Sequence, residues 1–339
     1  MKKFDELSEH ITEEEYRNNG RFHYSDIAGY MKEGFSYLVK PRKEESESLT
    51  FGSMVDCIVT EGIDRFNEKY CVEREFNLSD NQKAVLKDLS TFRWERLEDI
   101  PVQTVTEALG MYYKNPKTQL TKLLEEGGEY YKFILDNTNK IPVDFQMFQD
   151  AIDTANVLLT NGTTRQFLVD SQNDDSFDVF HQLKFNGTYN DIPITAMVDC
   201  VYIDHETKRI WPIDLKTTCA NYEWEFPKSF VKYRYDVQGK LYSLVLRQVM
   251  DNDDFYKDYR LMDFVFIYIS RTNKNPIVWL FDENMSENDI EFTSKNGTRI
   301  LLEDFRKSLS DMYEIQLQNR KTPLNISTVN DIMEHLKDF

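Results

Sequence analysis

The second half of the chain contains short apolar segments in which β-branched and aromatic residues are frequent. Segments of this length and composition, bounded by polar turn residues, predict β-strands. The predicted strands cover residues 177–185, 192–203, 210–217, 264–269 and 277–281.

Other segments carry apolar residues three and four positions apart, the spacing that places them on one face of a helix. The clearest is 143–159, where Phe145, Phe148 and Ile152 would face a core. Further helices are predicted at 25–31, 79–89, 104–113, 118–124, 163–169, 297–317 and 329–336, and around Asp56 and Gln238. This order of elements predicts an α/β (α+β) fold, with a mixed central sheet flanked by helices and a helical insertion at about 79–170.

Composition sets the broad class of protein. The 339 residues are 40% hydrophobic and 14% aromatic, enough for a sizeable core. We expect an acidic lead-in at 1–24, a main domain at 25–320 and a helical tail at 321–339. The longest apolar run is too short to span a membrane, and the N-terminus lacks an apolar signal region. The cysteines are widely spaced, which is typical of reduced thiols in a cytoplasmic protein.

The polar residues 204–208 separate two predicted strands and predict a β-hairpin. If the loop is centred between Glu206 and Thr207, Asp199 lies directly across the strand pair from Asp214. Like charges that face each other in a sheet repel and cost stability. A divalent cation between them removes that cost, so the pair predicts a metal site.

Lys216 follows Asp214 by two residues and therefore projects to the same side of its strand. An Asp-x-Lys triplet alone is more often a solvated strand edge than a site. Here an apolar segment precedes it, and Thr217 and Thr218 follow, which favours the rim of a cleft. Mg²⁺ prefers oxygen ligands. The set therefore fits metal-assisted phosphodiester hydrolysis, in which Lys216 holds or activates the attacking water.

Asp199 and the segment Asp214-Leu215-Lys216-Thr217-Thr218 resemble the core of the PD-(D/E)xK nuclease superfamily, above all its RecE/RecB-like exonuclease branch. Downstream, Gln238 and Tyr242 match the family's Gln-x-x-x-Tyr helix. Upstream, Gly52-Ser53-x-x-Asp56 resembles its Gly-(Thr/Ser)-x-x-His segment, with aspartate where many members have histidine.

A second departure from the family lies in the strand before Asp199, where members often have a glutamate. This chain offers Gln182 or His181 at that place. Either replacement puts a second metal ion in doubt.

The resemblance implies a restriction-endonuclease-like core and a Mg²⁺-dependent exonuclease on linear double-stranded DNA, acting in recombination or phage replication. Mn²⁺ is expected to replace Mg²⁺. The implied metal ligands are Asp199, Asp214, the Leu215 carbonyl and Asp56, while Gln238 and Tyr242 would orient the DNA strand. It also implies a homo-oligomer and a single-strand annealing protein as partner.

Some RecB-like nucleases hold an iron–sulfur cluster through three cysteines near the C-terminus. The cysteines of this chain do not match that pattern, so no cluster is expected; they are Cys57, Cys71, Cys200 and Cys219.

The net charge of −18 argues against a DNA-binding protein, because such binding depends on cation–phosphate contacts. The local distribution of charge decides this, however. A strip of basic and aromatic residues precedes the Gln238 helix and would face DNA, although a solvated lead-in to that helix explains it nearly as well. The strip consists of Lys228, Phe230, Lys232, Tyr233, Arg234 and Tyr235, with Arg42 and Lys43 as further candidates, and Thr217 and Thr218 would also contact DNA.

Two alternatives stay open. One is a structure-selective or restriction-type endonuclease on the same core. The other is a nuclease-inactive DNA-binding or assembly module, which the missing glutamate and the acidic charge would explain.

Overall fold

The computed structural model describes residues 3–39, 46–74, 76–169, 176–218, 225–282, 288–294 and 296–321. Arg42, Lys43, Cys219 and the predicted helix at 329–336 lie outside the described residues. The chain divides into two compact units, Met1–Glu61 with Asp153–Phe339, and Gly62–Ile152.

Along the chain, a group of helices comes first, followed by the mainly helical insertion, the strands of the central sheet and a last helix. The α-helices are α1 (Glu13–Arg17), α2 (Tyr24–Glu33), α3 (Phe35–Val39), α4 (Glu47–Thr60), α5 (Ile63–Lys69), α6 (Asp80–Ser90), α7 (Val102–Tyr112), α8 (Lys117–Glu126), α9 (Gly128–Asp136), α10 (Phe145–Thr160), α11 (Arg165–Leu168), α12 (Phe226–Tyr233), α13 (Tyr235–Asp251) and α14 (Phe305–Lys321). The strands are β1 (Tyr70–Val72), β2 (Ile141–Val143), β3 (Phe177–Tyr189), β4 (Ile192–Asp204), β5 (Arg209–Thr218), β6 (Arg260–Leu261), β7 (Phe264–Ser270), β8 (Ile277–Phe281), β9 (Ile290–Thr293) and β10 (Arg299–Leu302). Short 3₁₀ turns lie at Phe4–Leu7, Leu97–Asp99 and Tyr256–Asp258.

The first unit is built on a mixed sheet in the order β3-β4-β5-β7-β8, with β6 also paired to β5. The β5–β7 and β5–β6 pairs are parallel and the others antiparallel. Helices α13, α14 and α2 contribute to the core of this unit. The predicted mixed sheet flanked by helices is therefore confirmed.

Two turns fix the register of β3, β4 and β5. Asn190 and Asp191 both have positive φ, as the two-residue turn between β3 and β4 requires. In the next hairpin Cys200 pairs with Ile213, which confirms the predicted register. Pro212 does not shift it, because β6 pairs with β5 only up to Ile210 and β7 only from Ile213. The missing N–H of proline thus falls where no strand pairs on that side.

Helix α13 lies against β3 and β4 through apolar residues spaced three and four apart, including Val237, Leu241 and Val245. A side chain at Gly239 would meet the Phe281 ring at 2.8 Å. Packing against an aromatic ring therefore explains this helical glycine.

The second unit contains α5 to α9 and the parallel pair β1–β2. Its core includes Leu86, Leu109, Leu123 and Tyr131. The boundary with the first unit falls inside α10, whereas the sequence placed the helical insertion at about 79–170.

One predicted element is wrong in part. The helix expected at 297–317 begins only at Phe305, because residues 299–302 form β10 and pair with β9. No helix among the described residues is long and apolar enough to cross a membrane.

Candidate active site

The two predicted acids lie where the β4–β5 pairing ends. Cys200 and Ile213 form the last backbone pair, and Asp199 and Asp214 occupy the next position in the same register. The Leu215 backbone N–H donates a 2.8 Å hydrogen bond to Asp199 Oδ2. The Asp199 carboxylate thus accepts a hydrogen bond from the backbone next to Asp214, and the two carboxyl groups lie within electrostatic reach of each other.

Asp214 is held by two further predicted residues. Its side chain is almost fully buried, with the Lys216 ammonium on Oδ2 and the Gln238 amide donating to Oδ1. Burial raises the pKa of Asp214, while Lys216 and Gln238 lower it, and the pKa stays above its ordinary value. Gln238 is 3% exposed, and its buried Oε1 has no hydrogen-bond partner among the described residues.

Gln182 contacts Asp56, the fourth predicted acid-site residue. Its Nε2 donates a 2.8 Å hydrogen bond to Asp56 Oδ2. The β3–β4 ladder pairs His181 with Cys200 and Leu183 with Val198 but skips Gln182 and Asp199 between them. Gln182 has φ +53°, a left-handed conformation that costs about 1–2 kcal/mol for a residue with a side chain. Of the two candidates for the glutamate position, Gln182 thus contacts Asp56.

A glycine brings Asp56 into place. A Cβ on Gly52 would lie 3.1 Å from Thr217 Oγ1, so a larger residue would push α4 away from β5. Asp56 lies four residues further along α4 and therefore shares that face. The Gly52-Ser53-x-x-Asp56 pattern thus marks the point at which α4 approaches the strand that carries Asp214 and Lys216.

The site has more negative than positive charge. Burial raises the pKa of Asp199 well above its ordinary value, and the charges of Asp214 and Asp56 raise it further. Lys216 and the Leu215 amide act in the opposite direction without cancelling the effect. Asp199 and Asp214 therefore both lie within electrostatic reach of the Lys216 ammonium, and Asp56 adds a further negative charge that acts on Asp199.

Two tyrosines surround that ammonium. The Lys216 Nζ lies 4.7 Å from the centre of the Tyr235 ring, over its face, and Tyr24 is within electrostatic reach. Burial lowers the pKa of Lys216, but Asp214, Tyr24 and Tyr235 together raise it above its ordinary value. Lys216 is therefore a charged ammonium at neutral pH.

The donor set fits a hard divalent cation, since the acids supply oxygen ligands and their mutual repulsion would fall on binding. Within the described part of the chain, no three His, Cys, Asp or Glu side chains form a ready metal cluster. Mg²⁺ is commonly held by one or two carboxylates, with water and substrate phosphate completing its coordination. Asp199 and Asp214 meet that requirement, whereas metal contacts of Asp56 and the Leu215 carbonyl stay predictions.

Tyr242 lies in the core rather than at the surface of the site. It is 6% exposed, packs edge-on against Tyr24 and Phe264, and its hydroxyl is hydrogen-bonded with that of Tyr16. Its predicted contact with the DNA strand stays a prediction.

The predicted DNA-facing strip lies on helix α12, on Arg234 and on Tyr235, the first residue of α13. Lys228 is exposed, and its Nζ lies 2.8 Å from Glu225 Oε1. Lys232 is also exposed, and its Nζ lies over the Tyr233 ring. Arg234 instead makes a two-pronged ion pair with the buried Asp236. A contact of Arg234 with DNA stays a prediction, and this ion pair already engages two of its nitrogen atoms.

Thr217 and Thr218 are half-buried at the end of β5, paired with Ile269 and Ser270 of β7. Their DNA contacts also stay predictions. The sequence reasoning missed Tyr235 and Tyr24 as neighbours of Lys216. Tyr235 precedes Gln238 by three residues and so shares its helical face, a signal that was available; Tyr24 is remote in sequence and had none.

The sequence matches no protein-family model and no curated protein. A similar solved structure, described as a "putative exonuclease" from Eubacterium rectale, has 11% identity and a TM-score of 0.44 over 82% of this chain and 80% of that chain. The function is therefore argued from the site itself.

Proposed function

We propose that the chain is a metal-dependent deoxyribonuclease. The observation that carries the proposal is the pair of acids, Asp199 and Asp214, within electrostatic reach of the Lys216 ammonium, with the further charge of Asp56 acting on Asp199. A buried surplus of negative charge costs free energy unless a cation offsets it.

A bound Mg²⁺, or Mn²⁺ in its place, would stabilise charge on the scissile phosphate and lower the pKa of a bound water. Asp199 and Asp214 would hold it, with Asp56 and the Leu215 carbonyl as further ligands. Lys216 is charged at neutral pH. It would therefore hold the attacking water by hydrogen bonding and offset the developing negative charge, rather than accept a proton.

Gln238 would fix the orientation of Asp214. Its amide N–H₂ already donates to the carboxylate, and its Oε1 is left for a donor supplied by water or substrate. Because an unpaired buried acceptor costs about 1–3 kcal/mol, filling it would favour the loaded site.

The choice of an exonuclease on linear double-stranded DNA, in recombination or phage replication, rests on the resemblance to the RecE/RecB-like branch. The same resemblance supports a homo-oligomer and a single-strand annealing partner. Light scattering of the active protein tests the first, and a mass equal to one chain would contradict it.

The test of the function uses end-labelled linear duplex and closed circular plasmid, each with Mg²⁺, Mn²⁺ or chelator. Wild type is compared with Lys216→Ala and with Lys83→Ala, whose ion pair with Glu73 lies in the second unit. We expect metal-dependent loss of the linear duplex with wild type and Lys83→Ala, but not with Lys216→Ala. Cleavage of the closed circle would instead select an endonuclease.

A nuclease-inactive DNA-binding or assembly module is the second candidate. It is favoured by the engagement of Asp214 by both Lys216 and Gln238, and of Asp56 by Gln182. Binding of duplex in chelator, without cleavage in either metal, would select it.

A further inference from the structure

We propose that Tyr235 is a positioning residue for Lys216, whose ammonium its ring face holds once a metal ion takes up the charge of Asp214. This inference rests on the proposed function. It assigns a role to a residue outside the acid–lysine set and its Gln-x-x-x-Tyr helix pattern.

The Lys216 ammonium lies between a carboxylate and an aromatic ring. The Lys216 Nζ has two close partners among the described residues, the Asp214 carboxylate and the Tyr235 ring face at 4.7 Å. The face of an aromatic ring carries partial negative charge and attracts an ammonium, most strongly where water is excluded. Lys216 is mostly buried, with 16% of its side chain exposed.

The Tyr235 ring is held in place by its neighbours. Tyr235 stacks on the fully buried Phe266 with ring centroids 5.7 Å apart, and Phe266 pairs with Asp214 in the sheet. On either side of Tyr235, Arg234 and the buried Asp236 form their ion pair at the start of α13. The ring is thus fixed relative to the strand that carries both Asp214 and Lys216.

Metal binding would weaken the ion pair between Asp214 and Lys216. In the described structure Asp214 supplies the ion pair of Lys216. A carboxylate that ligates a cation has less negative charge to offer an ammonium, so the hold of Asp214 on Lys216 weakens when the site is loaded. The charge on the Tyr235 ring face is unaffected, and it keeps the Nζ directed at the site.

A neighbouring contact supplies a matched control. Lys232 lies over the Tyr233 ring at 4.9 Å, but both side chains are exposed and no acid of the site is involved. Tyr233 also stacks on Tyr235. Removal of the Tyr233 ring therefore tests whether any loss of stacking in this region is enough to disturb Lys216.

The experiment compares wild type, Tyr235→Phe, Tyr235→Leu and Tyr233→Leu. Steady-state cleavage of linear duplex gives kcat and KM. Lysine ¹³C-ε labelling gives the ring-current shift of the Lys216 ε-methylene, assigned by its absence from Lys216→Arg, without metal and with Mg²⁺. The Tyr235→Phe variant keeps the ring face, so we expect its kcat to match that of wild type. The upfield shift of its Lys216 ε-methylene should also match wild type, both without metal and with Mg²⁺. Leucine should lower kcat about tenfold at unchanged KM and abolish the shift.

The Tyr233→Leu control should retain the Lys216 shift, which is measured without DNA. Equal kcat for Tyr235→Leu and wild type would overturn the inference while leaving the nuclease intact. A Tyr235→Phe variant as poor as Tyr235→Leu would overturn it as well, because the hydroxyl would then be what matters. Loss of the wild-type shift on adding Mg²⁺ would show that the ring does not hold the loaded lysine. A wild type that cleaves nothing would overturn the proposed function and this inference together.

Discussion

Two buried lysines in the first unit each form an ion pair with an aspartate. Lys216 pairs with Asp214 near the end of β5, and Lys240 of α13 pairs with Asp304 at 3.1 Å. Both are rare arrangements, since a buried ammonium is costly unless paired. Burial of the pair alone therefore does not distinguish a functional site from a structural one.

The surroundings of Lys240 balance charge. Asp304 also contacts Arg306 at 3.0 Å, and Lys240 donates a second hydrogen bond to the Asn288 carbonyl. The backbone N–H of Asp304 donates to Asp289. Two cations thus meet two acids, and this network ties α13 to the start of α14.

The surroundings of Lys216 do not balance. Among the described residues, Asp214 and Asp199 both act on its charge, Asp56 acts on Asp199, and the pKa of Asp199 is raised well above its ordinary value. The comparison teaches that the surplus of charge, rather than the buried pair, points to a cation site.

The largest expected contrast is between Lys216→Ala and Lys240→Ala. Loss of the Lys216 ammonium should lower kcat on linear duplex by at least about 10²-fold. It also leaves the buried Asp214 carboxylate without its cation and should lower the free energy of unfolding in chelator at least as much as Lys240→Ala does. Loss of Lys240 leaves the half-buried Asp304 with Arg306 as its cation and should cost up to about 3 kcal/mol of stability with little change in kcat of the folded fraction. Urea unfolding and single-turnover cleavage measure the two quantities. A similar kcat for both variants would remove the distinction.

Asp199→Asn should stabilise the metal-free protein by about 1 kcal/mol, because a neutral amide relieves repulsion and its oxygen can still accept the Leu215 N–H. Asp304→Asn should destabilise it, since Lys240 then loses its partner. Thermal unfolding in chelator measures both. Destabilisation by Asp199→Asn would mean that the charge at this position is already compensated.

Gln182→Glu should sharpen the contrast by adding a fourth acid beside Asp56. We expect a lower Tm in chelator than in wild type, and a larger rise in Tm on adding Mn²⁺. Both changes in Tm should be smaller than the change caused by Asp199→Asn, because position 182 is only half-buried. Gln182→Asn, which adds no charge, is the control. An unchanged response to Mn²⁺ would place Gln182 outside the metal's reach.

The smallest expected effect belongs to the surface. Lys228→Ala and Lys232→Ala should each weaken duplex binding slightly and reduce the slope of log affinity against log salt by about one for each phosphate that the lysine neutralises. Lys117→Ala in the second unit serves as a control for general charge. Identical slopes for all three variants would remove the two lysines from the DNA interface.

Local pattern predicted the hairpin well. The polar loop and the alternating strands fixed which residues of β4 and β5 face each other, and the predicted register is confirmed by the Cys200–Ile213 pair. Asp199, Asp214 and Lys216 were brought together in prediction because they lie on adjacent strands of one hairpin. Gln238 was added through the resemblance, and the structure brings it to Asp214.

Tertiary packing accounts for what the pattern missed. The left-handed backbone of Gln182 accompanies a hydrogen bond to Asp56 of α4, far away in sequence. Helix α9 starts at Gly128 after Gly127, residues that disfavour helix, yet Tyr131 is fully buried and anchors it. The β9–β10 pair similarly displaced the start of α14.

The central claim is that a divalent cation offsets the charge surplus around Lys216. Calorimetric titration of Mg²⁺ and Mn²⁺, in the presence of a duplex that resists hydrolysis, tests it most directly. We predict saturable binding to wild type and to Asp304→Asn, and strongly weakened binding to Asp199→Asn and Asp214→Asn. Absence of binding to wild type, or equal binding to all four proteins, would contradict the account.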